Sequence, residues 1–316
     1  MLKLVGRFFY NMSIPYSKPP KRPKELVALL QERGLKIDGF PKAENYITNI
    51  GYFRLSAYFY PLLQIPKSDH IYKPESSFTQ VLNLYRFDRK LRLLIFNEIE
   101  KIEVAIRSIM VNIASLHFND AFWITNQSNF HNLTFFKSSL EDIDNELSKS
   151  KEDFILHFKN TYSDVYPPSW ALAEILPLGN ICRIYRNIKD QNLKKQISQK
   201  FGLQPPVFDS WIMTIAGLRN ICCHHGRLWN RLLILQPVLP VIIRYPWLRS
   251  QNSADKQKVY FRMCIIKYLL YSVSPNNTFK EKLKDLLEKY PMIDIKAMGF
   301  TLDWEKEPIW IGDKQL

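Results

Sequence analysis

Residues 218–231 read LRNICCHHGRLWNR, two cysteines and two histidines side by side between arginines. These residue types offer a metal centre, a catalytic or anion-binding site, or simply the inner face of a helix. Successive helical side chains point about 100° apart, so four in a row do not converge on one tetrahedral ion. Zinc modules also separate their ligand pairs, and no CxxC or HxxxH occurs elsewhere in the chain. No metal and no other cofactor is expected.

Sorting the stretch on a continuous helix of 3.6 residues per turn gives two stripes. Leu218, Ile221, Cys222, His225, Trp229 and Leu232 fall on one, which reads as core and makes His225 a hydrogen-bonded structural histidine. Asn220, His224, Arg227 and Arg231 fall on another, polar and basic, and Arg219 beside it has the reach to swing toward His224. A histidine among arginines lacks an ion-pair partner and invites an anion. Breaking RNA without a metal requires one group to take the ribose 2′-hydroxyl proton and another to steady charge on the phosphate. Imidazole titrates near neutral pH, and guanidinium stays charged while forking onto phosphate oxygens. A basic face that binds an anion without reaction is the alternative these residue types leave open.

The elements that must position this motif are helical. From Phe78 to Phe118 apolar residues recur at three- and four-residue intervals, which predicts one long amphipathic helix. Asp88, Arg92, Glu100, Glu103 and Arg107 punctuate it, either as an exposed ion-paired face or as supports that orient the motif helix. Glu174, alone in the apolar segment WALAEILPLGNICRIYRNI, is a further candidate support; that segment reads as one helix bent at Pro177 and Gly179. Another helical pattern spans roughly 134–161. The motif helix is expected to begin at Pro205 and Pro206 and to run to about Leu235. Helices are also expected over 255–273 and 276–289. Earlier, KELVALLQERGL predicts a short helix stopped by Gly34, and helical segments flank Gly51. Residues 17–24, SKPPKRPK, read as an extended basic arm, with Lys21 and Arg22 suited to phosphate, or as a merely solvated linker. No sheet, repeat or nucleotide-binding glycine loop is evident. The expected organisation is an N-terminal helical subdomain over 1–76, a helical core over 77–235 carrying the motif, and a helical extension over 236–316.

Composition agrees with a globular, nonsecreted protein. Of 316 residues, 46% are hydrophobic and only 10 are glycine, which argues against disorder and against a loop-rich or β-sandwich protein. Lys and Arg number 44 against 30 acidic residues, and the net charge of +14 attracts a polyanion, of which nucleic acid is the usual one, or serves solubility alone. Four unevenly placed cysteines do not make a disulfide framework and fit a reducing cytoplasm. The opening MLKLVGRFFYNMS is broken by Gly6 and Arg7 and does not read as a signal peptide, and LLILQPVLPVII is too short and proline-broken to span a membrane.

The motif resembles the Rx4H signature of HEPN ribonucleases, with Arg219, His224 and Asn220 after the arginine. More narrowly it is similar to Abi-like proteins of the AbiD/AbiF abortive-infection type. ERGLKI, YITNIGYFRLSAYFYP, YRFDRKLRLLIFNEIEKIEVAIR, SWALAEILPLG and MGFTLDW stand in that family's order. The resemblance implies an all-α HEPN-type bundle with N- and C-terminal helical extensions. It also implies a toxin-like RNase of antiphage defence, a homodimer in which two motifs meet, and restraint by a small noncoding RNA. On this reading Arg219, Asn220 and His224 are catalytic, and Arg227, Arg231, Lys21 and Arg22 bind RNA. Arg92, Glu100, Glu103, Glu174 and His225 support them. A noncatalytic RNA-binding regulator using the same basic face is the alternative, and a purely structural interaction protein is a third.

Overall fold

The computed structural model describes residues 15–249 and 251–311. The opening run, read above as no signal peptide, lies outside the described residues. Among the described residues the chain is 64% helical, with 13 helices and no strand, as an all-α fold requires. It forms two compact units, one up to Tyr85 and one from Arg86 onward.

In the first unit, residues 15–22 are irregular and exposed, Lys21 and Arg22 included. The arm stops there, because Pro23 opens helix α1 (Pro23–Glu32) and the Arg22 N–H donates to the Glu25 carboxylate at 2.6 Å. Helices α2 (Phe40–Ile50) and α3 (Tyr52–Phe59) follow. Gly51, at φ 91°, makes the corner between them. Val27, Leu30, Ile47 and Leu55 form the core, and the Phe59 ring meets those of Tyr72 and Phe78 at 6.2 and 6.0 Å.

Helix α4 (Phe78–Phe118) contains the division between the units. Its stretch within the second unit buries Phe87, Leu91, Ile95, Ile99, Ile102 and Ile106 as one stripe, worth about 1.5–3 kcal/mol for each side chain. Beyond it come α5 (Leu133–Lys149), α6 (Asp153–Thr161), α7 (Ser169–Ile175), α8 (Leu178–Asn187), α9 (Gln191–Lys200), α10 (Pro205–Cys223), α11 (Val259–Val273), α12 (Phe279–Lys289) and α13 (Pro308–Ile311). The helix expected over 134–161 is two helices, broken at residues 150–152. The one expected to bend at Pro177 is cut there: Pro177 is extended at ψ 148°, lacks a donor, and caps α8. Helix α11 is buried from Val259 to Leu270. Its Arg262, only 1% exposed, donates to the carbonyls of Leu233 and Leu235. Trp211 Nε1 donates to the Val238 carbonyl at 2.9 Å, so side chains hold the irregular segment 232–243 to the body.

Candidate functional site

The site begins at the end of α10, and it corrects the helical-wheel reading. The helix stops at Cys223, about twelve residues short of the expected end, with His224 as its C-cap. His225 is left-handed at φ 55°, its N–H donates to the Cys222 carbonyl at 3.1 Å, and the Gly226 N–H donates to the Ile221 carbonyl at 2.8 Å. That pair of bonds is a Schellman ending with histidine where glycine is usual. Consequently Arg227 and Arg231 do not continue a helical stripe with Asn220 and His224. His225 is exposed rather than core, and so is Leu232, whereas Trp229 is buried.

The turn is fixed from α4. Asp88, fully buried, accepts the Leu228 N–H at 3.1 Å and the Trp229 N–H at 2.6 Å. Arg92, 5% exposed, pairs with Asp88 and donates to the Gly226 carbonyl at 3.3 Å. The reading of this helix as an exposed ion-paired face therefore fails at Asp88 and Arg92, which bind the backbone just after the motif. Asp88 stood among the charged residues of the long helix but not among the chosen site residues. Its clearest signal was its place inside the apolar stripe, beside Phe87 and one turn before Leu91.

One turn of α10 earlier, Arg219 is half-buried and turned toward α4, with Nε 3.4 Å from Glu103 Oε2. It does not swing to His224: five helical steps of about 100° leave the two residues about 140° apart. Glu103 is also paired with Arg107, whose guanidinium donates to the carbonyls of Ala173 and Leu176 at the end of α7. Glu100, Glu103, Arg107, Glu174 and Arg219 line one groove of about 460 Å³, walled by Phe96, Val104, Ile175 and Pro177. The groove thus gathers Arg219 with three of the expected supports. His224 and Asn220 are exposed outside it, and the His224 imidazole makes no polar contact among the described residues. Arg231 Nη1 donates to the Arg227 carbonyl at 3.4 Å, past the end of the helix.

Burial pushes the Cys222 thiol up to about 12, so it stays protonated at neutral pH. Among the described residues no cluster of three or more His, Cys, Asp or Glu is arranged to hold a metal ion.

An all-α chain whose long helix grips the turn after an Rx4H segment is the class defined by this geometry. The chain belongs to the family of Abi-like proteins, whose model matches residues 45–230 and so takes in α4, the groove and the gripped turn. No curated protein and no solved structure matches it.

Proposed function

We propose that the chain is a HEPN-type endoribonuclease of the AbiD/AbiF kind, working without a metal as a toxin-like effector. Family membership suggests a part in abortive-infection defence. The observation that carries the nuclease reading is the end of α10, where an exposed imidazole and a half-buried guanidinium stand five residues apart on a braced helix terminus. His224 takes the proton of a ribose 2′-hydroxyl, whose oxygen attacks the adjacent phosphorus as the bond to the 5′-oxygen breaks, and the departing 5′-oxygen takes its proton from solvent water. Arg219 steadies the charge on the phosphate and Asn220 positions it, with Arg227 and Arg231 on neighbouring phosphates, while Lys21 and Arg22 contact RNA phosphates of their own. The products are a 2′,3′-cyclic phosphate and a 5′-hydroxyl. The divergence of Arg219 and His224 favours a homodimer, in which each chain's arginine meets its partner's histidine. A small noncoding RNA is the proposed restraint and the cytoplasm the proposed setting. Among the described residues no helix is long and apolar enough to cross a membrane.

The test is to incubate the purified protein with RNA in the presence of a chelator and to map the ends formed. Cyclic-phosphate ends that vanish in both Arg219→Ala and His224→Ala support the nuclease. The same divergence also suits a noncatalytic RNA-binding regulator. RNA that copurifies uncut, and is lost when Arg227 and Arg231 are replaced, selects that reading.

A further inference from the structure

We propose that Glu103 is a positioning residue that aims Arg219, with Arg107 as its anchor; the role rests on the reading that Arg219 holds the scissile phosphate. The argument begins at the end of α7. The last carbonyls of a helix lack partners within it and carry its partial negative charge. Two such oxygens, on Ala173 and Leu176, take the Arg107 guanidinium, which is 8% exposed and so held in place. Another nitrogen of the same guanidinium takes Glu103 Oε1. With one oxygen fixed, the other, Oε2, is presented to Arg219 Nε at 3.4 Å.

Nε is the inner corner of the guanidinium. In Arg219 this atom is fully buried and has no hydrogen bond, and the 3.4 Å contact is longer than the ~2.7–2.9 Å of a charge-assisted bond. The contact therefore sets direction more than it consumes donors. Nη1 and Nη2 bond to nothing among the described residues, and Arg219 lines the groove. Gripping the inner corner leaves the outer fork, the edge that matches two phosphate oxygens.

The charge of the groove makes the aim matter. Its lining carries three carboxylates, Glu100, Glu103 and Glu174, against two guanidiniums, Arg107 and Arg219, a net of −1. Such a groove repels a run of phosphates and admits one only where a fork is turned to meet it. Misdirecting that fork costs rate at the reacting phosphate more than it costs binding, because the remaining phosphate contacts lie elsewhere.

The experiment uses the full chain on a single-stranded RNA and compares Glu103→Gln, Arg219→Ala and the double variant. The amide keeps an acceptor oxygen for Arg107 and loses the charge that faces Arg219. Glu103→Gln should lower kcat by about 100-fold with little change in KM. Millimolar guanidinium should restore part of the rate of Arg219→Ala, because Glu103 still holds the added ion, and should restore nothing in the double variant. A structural role alone would not separate those two rescues. Where Glu103→Gln melts early, the rescue is compared at a temperature at which both Arg219 variants are folded. Wild-type kcat in Glu103→Gln, or equal rescue of both variants, overturns the positioning role while loss of rate in Arg219→Ala leaves the nuclease reading standing. Wild-type cleavage by Arg219→Ala sinks both.

Discussion

Asp88 holds more of the turn together than any catalytic candidate does. Its buried carboxylate takes two backbone N–H groups and the Arg92 guanidinium. Removing one partner of a buried ion pair leaves the other charge unpaired, so Asp88→Ala should cost about 3–5 kcal/mol in a urea titration. A loss below about 1 kcal/mol, the range of exposed pairs, would refute the role. His225 calls for a different test, since its left-handed backbone matters here. His225→Gly should be more stable than His225→Val by about 1–2 kcal/mol, because a β-branched side chain crowds this conformation. Equal stability of the two would mean that the left-handed turn does not govern this position. The sequence marked Arg219, Asn220 and His224 through type and spacing, because these are local properties. Beyond the place of Asp88 in the apolar stripe, it could not show what Asp88 holds, because Asp88 and Arg92 four residues apart look the same on an exposed helix as on one that carries another segment.

At the scale of elements, α4 was legible to its last residue because its apolar repeat is long and its packing follows that repeat. Helix α10 was legible at its start, from paired prolines, and not at its end. The stop depends on a histidine in a glycine's conformation and on Asp88 and Arg92, 134 to 141 residues away in the chain. Helix α9 escaped notice because QNLKKQISQK turns only Leu193 and Ile197 among its apolar residues inward; the Asp190 side chain caps it by accepting two backbone N–H groups. Gly226 tests the stop directly. A Cβ there would lie 3.1 Å from Ile221 Cγ2 and 3.2 Å from Arg231 Nη1, tighter than ordinary contact. Gly226→Ala should therefore cost about 1 kcal/mol while far-ultraviolet dichroism is unchanged, since the helix ends before it. Increased helicity would mean that α10 can run on and that the turn is not set by α4.

For the whole molecule, the net charge of +14 makes salt the natural probe. Affinity for single-stranded RNA should fall with a log–log slope of about 0.7 per phosphate neutralised, and replacing Lys21 and Arg22 by Ala should flatten it. An unchanged slope would take the arm out of the RNA interface. The proposed dimer is tested by mixing Arg219→Ala with His224→Ala. If each site takes its arginine and histidine from different chains, half of the dimers are mixed and one of their two sites is intact, returning about a quarter of wild-type activity. No return from verified mixed dimers refutes the division of roles. The grip of Asp88 on Leu228 also has a bearing on synthesis, since 140 residues separate them. At about 5–20 residues per second, Asp88 is made on the order of ten seconds before Leu228 and Trp229 exist. A nascent or prematurely terminated chain therefore has the brace without the turn it braces, and whatever the chain does through that turn it can do only once translation of the segment is done.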